Sequence, residues 1–258
     1  MTDAPIDEEH PAVAQMRRHE LDHDVPWALP IVVRRSKTDI AAHQDVVAAV
    51  AEAVVTFLDD PRSQPEGPWH EAVAYWRDGA IRKVVRRGDG KQFEDAAALD
   101  GIRLIREGRE GYGLVDVLVL PPGPVQPLPR ELKKLQVGGT EFPHAEDAAD
   151  GSDPVSRESA ALDPAAARDP STPLVTIELS PEVELTTGKA AAQCAHAAQL
   201  VYEQMPADRR DAWRDAGFRV RVVTPDRAVW ASTDAPVRVI DAGFTEVDGP
   251  TETARGRW

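Results

Sequence analysis

The stretch at 141–171 most constrains this chain. It is mostly Ala, Asp, Pro, Ser and Glu with almost no large apolar side chains, so it is expected to bury too little surface to offset the entropy of ordering itself and to act as a linker. It divides the 258 residues into two segments that must each supply their own elements. The expected organisation is an acidic tail at 1–25, a folded unit at 26–136, an Ala/Pro/Asp-rich linker at 137–171 and a second unit at 172–258.

Within both units strand-like and helix-like patterns alternate. In the first, 27–33 reads as a strand, and 39–58 carries apolar residues at three- and four-residue spacing, the mark of a helix. Helices at 69–76 and 91–99, strands at 81–85, 102–105 and 114–120, and a closing helix at 128–135 complete it. The second opens with a strand at 174–179. The Ala-rich helix 189–205, a short helix at 208–215, and strands at 218–223, 237–240 and 252–258 follow. This alternation predicts an α/β fold of two small three-layer units, each a mixed sheet of roughly four strands flanked by helices. Trp76-Arg77-Asp78-Gly79 before a basic strand matches Trp213-Arg214-Asp215-Ala216-Gly217 before residues 218–223, a weak internal repeat.

Charge and cysteine usage narrow the functional classes. The net charge of -14 opposes a simple nucleic-acid binder, but the acidic excess sits mostly in 1–25 and 141–170. Arg82, Lys83, Arg86 and Arg87 form a local basic strip inside the balanced first unit, readable either as a phosphate-facing surface or as a solvated strand end. A single cysteine, Cys194, excludes an internal disulfide and fits a reducing compartment. No apolar run reaches the ~20 residues a membrane span needs, and the first 25 residues lack a secretory pattern. A cytoplasmic address without membrane association is expected.

The most distinctive run is Thr187-Gly188-Lys189-Ala190-Ala191-Ala192-Gln193-Cys194-Ala195-His196-Ala197-Ala198, just after a strand. On a helix of ~3.6 residues per turn, Lys189, Gln193, His196 and Leu200 share one side. A lysine in the first turn opposes the helix dipole, which points to a role other than helix stability. A phosphate-loop reading fails, because Val183 occupies the position of its first glycine and Ala190, not Ser or Thr, follows Lys189. His196 lacks a partner at ligand spacing, and Cys194 reads as a small buried filler.

This run resembles the Gly-Lys-x-Ala-Ala-Gln-Cys-x-His-Ala signature of the archaeal/eukaryotic-type (type 2) peptidyl-tRNA hydrolases. Downstream, Ile240-Asp241-Ala242-Gly243-Phe244-Thr245-Glu246-Val247 is similar to that family's Asp-Ala-Gly-Arg-Thr-Gln-Ile segment, and Thr251-Glu252-Thr253-Ala254 to its next strand. The resemblance covers most of 174–258. It implies hydrolysis of the ester between a peptide and the 3' ribose of tRNA, with Lys189, Gln193, Asp241 and Thr253 around the reacting ester and His196 and Thr245 in support. It implies no metal and no organic cofactor. Two departures reduce the cations available for tRNA: Glu184 and Thr187 stand where the family commonly has lysines, and Phe244 replaces its arginine. They keep a second reading open, a catalytically inactive tRNA- or protein-binding regulatory module on the same scaffold.

The family's closing strand, turn and helix are resembled instead by Leu118-Val119-Leu120-Pro121-Pro122-Gly123-Pro124-Val125 and Leu132-Lys133-Lys134-Leu135. The first unit is therefore expected to be a diverged copy of the second, packed on it as partners pack in the family's homodimers. A monomer with an internal pseudo-dimer follows, with a homodimer as the alternative and Arg82, Lys83, Arg86 and Arg87 as the tRNA contacts.

Overall fold

The computed structural model describes residues 25–79, 81–145, 175–241 and 250–258. It is α/β, with two mixed sheets flanked by helices. The first sheet is built from β1 (Trp27–Arg35), β2 (Lys83–Asp89), β3 (Ile102–Arg106) and β4 (Val115–Val119) in the order β2-β1-β4-β3, with the short β5 (Gly123–Pro124) pairing with β1. Its helices are α1 (His43–Asp59), α2 (His70–Asp78), α3 (Gly90–Ala97) and α4 (Arg130–Lys133). The second sheet comprises β6 (Val175–Leu179), β7 (Val220–Val223), β8 (Val237–Asp241) and β9 (Thr251–Arg257), ordered β7-β6-β9-β8. With it go α5 (Thr187–Gln204), α6 (Ala207–Asp215) and α7 (Arg227–Ser232).

The two orders are the same order. In each unit the first strand runs parallel to the second and antiparallel to the fourth, which pairs antiparallel with the third. The Trp-Arg-Asp repeat has a structural counterpart at each position. Trp76 donates its indole N–H to Arg82 O at 2.9 Å, and Trp213 donates to Arg219 O at the same distance. Each adjacent arginine crosses to the other unit's long helix: Arg77 pairs with Glu203 of α5 at 3.1 Å, and Arg214 with Asp59 at the end of α1 at 2.5 Å.

The long helices α1 and α5 pack against each other between the sheets, so the inner faces of both units share one apolar core. Burial on several sides explains why α1 is helical despite its many valines: packing against β-strands and α5 outweighs the modest helix penalty of β-branched residues. The alanines of α5, including Ala190, Ala191, Ala195, Ala197 and Ala198, are fully buried and let the helix lie close to its neighbours. Gly256 on β9 serves the same approach, since a Cβ there would lie 2.5 Å from Val201 Cγ2.

The structure shifts several expected boundaries. The second strand begins at Lys83, because Ile81 takes a positive φ of 42° that a strand cannot continue. Phe218 likewise has a φ of 54°, and β7 starts two residues later. Helix α7 was not legible as periodicity; the Asp226 side chain caps it by accepting from Val229 N at 2.8 Å. Residues 137–145, expected to be linker, pack into the molecule: Thr140 and Phe142 are buried, and Phe142 joins the shared core. Residues 146–171 lie outside the described residues.

Candidate active site

The first turn of α5 is where the first unit meets the second. Gly188 N donates to Thr140 O at 3.0 Å, and Thr187 N to Glu141 Oε2 at 3.2 Å. These acceptors satisfy amides that a helix start leaves without intrahelical partners. The phosphate-loop reading thus fails in space as well as in sequence, because these amides already carry acceptors. The glycine of the Gly-Lys pair has a packing reason, since a Cβ at 188 would stand 3.0 Å from Thr140 Cβ. Fully buried Thr187 also meets His43 of α1, with Oγ1 2.9 Å from Nδ1. The His43 ring stacks on His144 at 4.0 Å, and burial, reinforced by the charge of His144, lowers its pKa to about 4.

One turn further along α5, Gln193 donates its amide to Asp241 Oδ2 at 2.8 Å. This bond joins two segments 48 residues apart in sequence, the α5 run and the end of β8. A carboxylate only accepts, so the NH₂ of Gln193 must face Asp241 and its Oε1 must face away. That oxygen is buried and has no hydrogen-bond partner among the described residues. It is an acceptor waiting for a donor. Lys189 precedes Gln193 by four residues on the same helix and is partly exposed, as is Asp241.

Thr253 enters from β9. The pairing of β8 with β9 shifts register between Val239, opposite Ala254, and Ile240, opposite Glu252, which leaves Thr253 as the extra residue of a bulge. It is fully buried, with Oγ1 3.5 Å from Val239 O. The four residues expected around an ester therefore come from one helix and the adjoining ends of β8 and β9, with Gln193 and Asp241 in direct contact. Thr245 lies outside the described residues, as does the rest of 242–249.

Two further sequence readings resolve into structural roles. Cys194 is fully buried, and burial pushes its thiol pKa up, leaving a packed thiol rather than a nucleophile. His196 is half-buried; desolvation and the charge of Lys83 hold it well below the usual histidine range, so it is neutral near pH 7.

The basic strip is the clearest correction. Alternation along β2 sends Lys83 and Val85 to the inner face and Val84 and Arg86 to the outer one. Lys83 is buried, donates to Gln199 of α5 at 2.6 Å, and has its pKa lowered to about 7 by burial. Arg86 is 8% exposed on the opposite side of the sheet. Arg87 holds the Gln136 side chain and donates to Gly139 O at 2.9 Å. Of the four, only Arg82 and Arg87 retain partial exposure, so Arg82, Lys83, Arg86 and Arg87 do not form one phosphate-facing surface.

Thr140, Glu141 and His43 were missed because nothing in a low-complexity stretch or at a helix start marks them as neighbours of Thr187. Among the described residues no cluster of His, Cys, Asp or Glu is arranged to hold a metal ion, and no helix is long and apolar enough to cross a membrane. Comparison with protein-family models, with curated proteins and with solved structures finds no match for this chain.

Proposed function

We propose that the chain is a peptidyl-tRNA hydrolase whose site is built on Lys189, Gln193, Asp241 and Thr253. The observation that carries this reading is the Gln193–Asp241 hydrogen bond at 2.8 Å, because it joins the two motifs on which the sequence resemblance rests. In this mechanism Asp241, oriented by Gln193, accepts a proton from water as the water attacks the ester carbonyl. Lys189 stabilises the oxyanion that develops. The carbonyl carbon–oxygen bond to the ribose then breaks, and the ribose oxygen leaves with a proton. Gln193 Oε1, a buried acceptor, receives a hydrogen bond from the attacking water or a ribose hydroxyl. Thr253, on the bulge, fixes geometry from the sheet side.

The test is release of labelled peptide from purified N-blocked aminoacyl-tRNA by wild type, Lys189→Ala and Asp241→Asn. Each substitution is expected to lower kcat/KM by roughly 100-fold or more with the circular dichroism spectrum unchanged. A second reading, a tRNA-binding module without turnover, draws on the burial of Lys83 and Arg86, which removes cations from the surface, and on the retained motif positions. Wild type that binds tRNA with a salt-sensitive affinity and releases no peptide would overturn the enzyme in favour of that module.

A further inference from the structure

On the far side of the first sheet from the shared core lies a cavity of about 440 Å³. Its walls are apolar: Pro30 of β1, Val84 of β2, Leu120, Leu99, Leu128 and Leu132. The proline-rich segment 121–129 forms one side. This size and lining are typical of pockets that take small organic molecules. Into this lining comes one cation. Arg86 lines the cavity, is 8% exposed, and its Nε and Nη1 are buried without a hydrogen-bond partner among the described residues.

Packing alone would not select arginine at this position. In the register of the sheet Arg86 lies beside Val32, which is fully buried among Phe93, Leu118, Leu132 and Leu135. An aliphatic residue would satisfy the same face at no desolvation cost, whereas a buried guanidinium lacking acceptors destabilises the fold. Burial also pulls the Arg86 pKa below its ordinary value. A buried donor of this kind is explained by a ligand that supplies the missing acceptors.

We propose that this cavity is a binding site for a small amphipathic carboxylic acid, its carboxylate on Arg86 and its apolar body against Pro30, Val84, Leu120 and Leu132. Charge selects a monoanion. Asp100 also lines the cavity but is engaged by Arg62 at 2.9 Å and by the Trp69 indole N–H at 3.2 Å. Among the described residues Arg86 is thus the one cation lining the cavity, and its single charge matches a monoanion better than a dianion such as a phosphate monoester. The site lies on the outer face of the first sheet, whereas Gln193 is on α5 and Asp241 ends a strand of the second sheet, so it is independent of the hydrolase reading.

The test uses the full chain and three probes with the same tail: octanoate, octyl phosphate and octanol, titrated by calorimetry. Octanoate is expected to bind most tightly, and Arg86→Met to weaken it roughly 10- to 100-fold, the worth of a charge-assisted hydrogen bond, while octanol binding is unchanged. Without ligand, Arg86→Met should melt at the same temperature as wild type or higher, which separates a ligand site from a structural arginine. Amide chemical-shift changes on octanoate addition to wild type, concentrated at 28–30, 84–86 and 120–132, give a readout that needs no variant. Equal binding of octanoate and octanol by wild type, no binding of either, or unchanged octanoate affinity in Arg86→Met would overturn the proposal.

Discussion

In the first unit, the face of the sheet turned away from the central helices is covered and mainly apolar, with Arg86 and Asp116 buried among its apolar side chains and Asp116 ion-paired to Arg103. Val32, Phe93, Ala96, Leu118, Leu120, Leu132 and Leu135 form a second core there beneath α3 and α4. In the second unit the corresponding face carries Glu178, Arg238, Glu252, Arg255 and Arg257. These are joined as ion pairs: Arg238 and Arg255 to Glu252 at 2.5 and 2.6 Å, and Arg257 to Glu178. The short helix α7 lies over it, with the Arg255 guanidinium 3.8 Å from the centre of the Trp230 ring and donating to Trp230 O at 2.7 Å. One strand order therefore accepts an outer face that is mainly apolar in one unit and mainly ion-paired in the other. What the two units hold in common is confined to the inner faces and the crossing contacts, where each unit completes the other. Those shared features carry the fold, and the differences mark where each unit has been free to specialise.

The strongest way to break this equivalence is at the paired tryptophans. Trp76 and Trp213 are each almost fully buried and make the same bond to a backbone oxygen six residues on. Trp76→Ala and Trp213→Ala should each cost about 3–5 kcal/mol in urea unfolding, with a single transition in both because the inner core is continuous across the units. Two separated transitions, or a cost for one tryptophan several-fold below the other, would mean that the units are stabilised independently.

A smaller effect should distinguish the junction between the helix starts. His43 has a folded pKa of about 4, below the ordinary 6.5 it regains on unfolding. The unfolded chain therefore binds the proton more readily between those values. The contribution of His43 is complete above pH 6.5 and is lost as pH falls from 6.5 through 4. Unfolding free energies from urea titrations at pH 7.5 and 5 should differ more for wild type than for His43→Asn, by about 1–2 kcal/mol. Equal pH sensitivity in the two proteins would show that the contact with Thr187 does not depend on a neutral ring.

The smallest effect belongs to the crossing arginines, which sharpen the comparison. Arg77 and Arg214 are both more than a third exposed, so solvent screens their pairs, and each alanine substitution should cost no more than about 1 kcal/mol. Arg214→Ala should be the costlier. It donates to Asp59 through two nitrogens, at 2.7 and 2.5 Å, and to Asp211 through a third contact, whereas Arg77 meets Glu203 through one contact at 3.1 Å. Denaturation of the two variants at low and high salt checks the ranking.

The alternation of strands and helices, the positions of α1 and α5, and the Trp-Arg-Asp repeat were all legible in the chain, because each is written in spacing that a helix or strand reads locally. The α5 motif also named Lys189 and Gln193 as neighbours, since four residues on a helix make one turn. Their meeting with Asp241 depended on strand pairing, and the placing of Thr253 on a register shift that no local pattern records. Burial was the least legible property. The run from Arg82 to Arg87 looks like a solvated strip in sequence, yet a strand alternates faces and both faces of this one are covered, so Lys83 and Arg86 end up buried on opposite sides. The segment at 137–145 shows the converse. Its composition carries no periodic signal, but Thr140, Glu141 and Phe142 are held by the start of α5 and by the shared core. Sequence by itself determined which elements form, because hydrogen bonding and side-chain spacing act over a few residues. Only the tertiary structure decided which charges lose water and which helix end acquires its acceptors, because those depend on what packs against them from elsewhere in the chain.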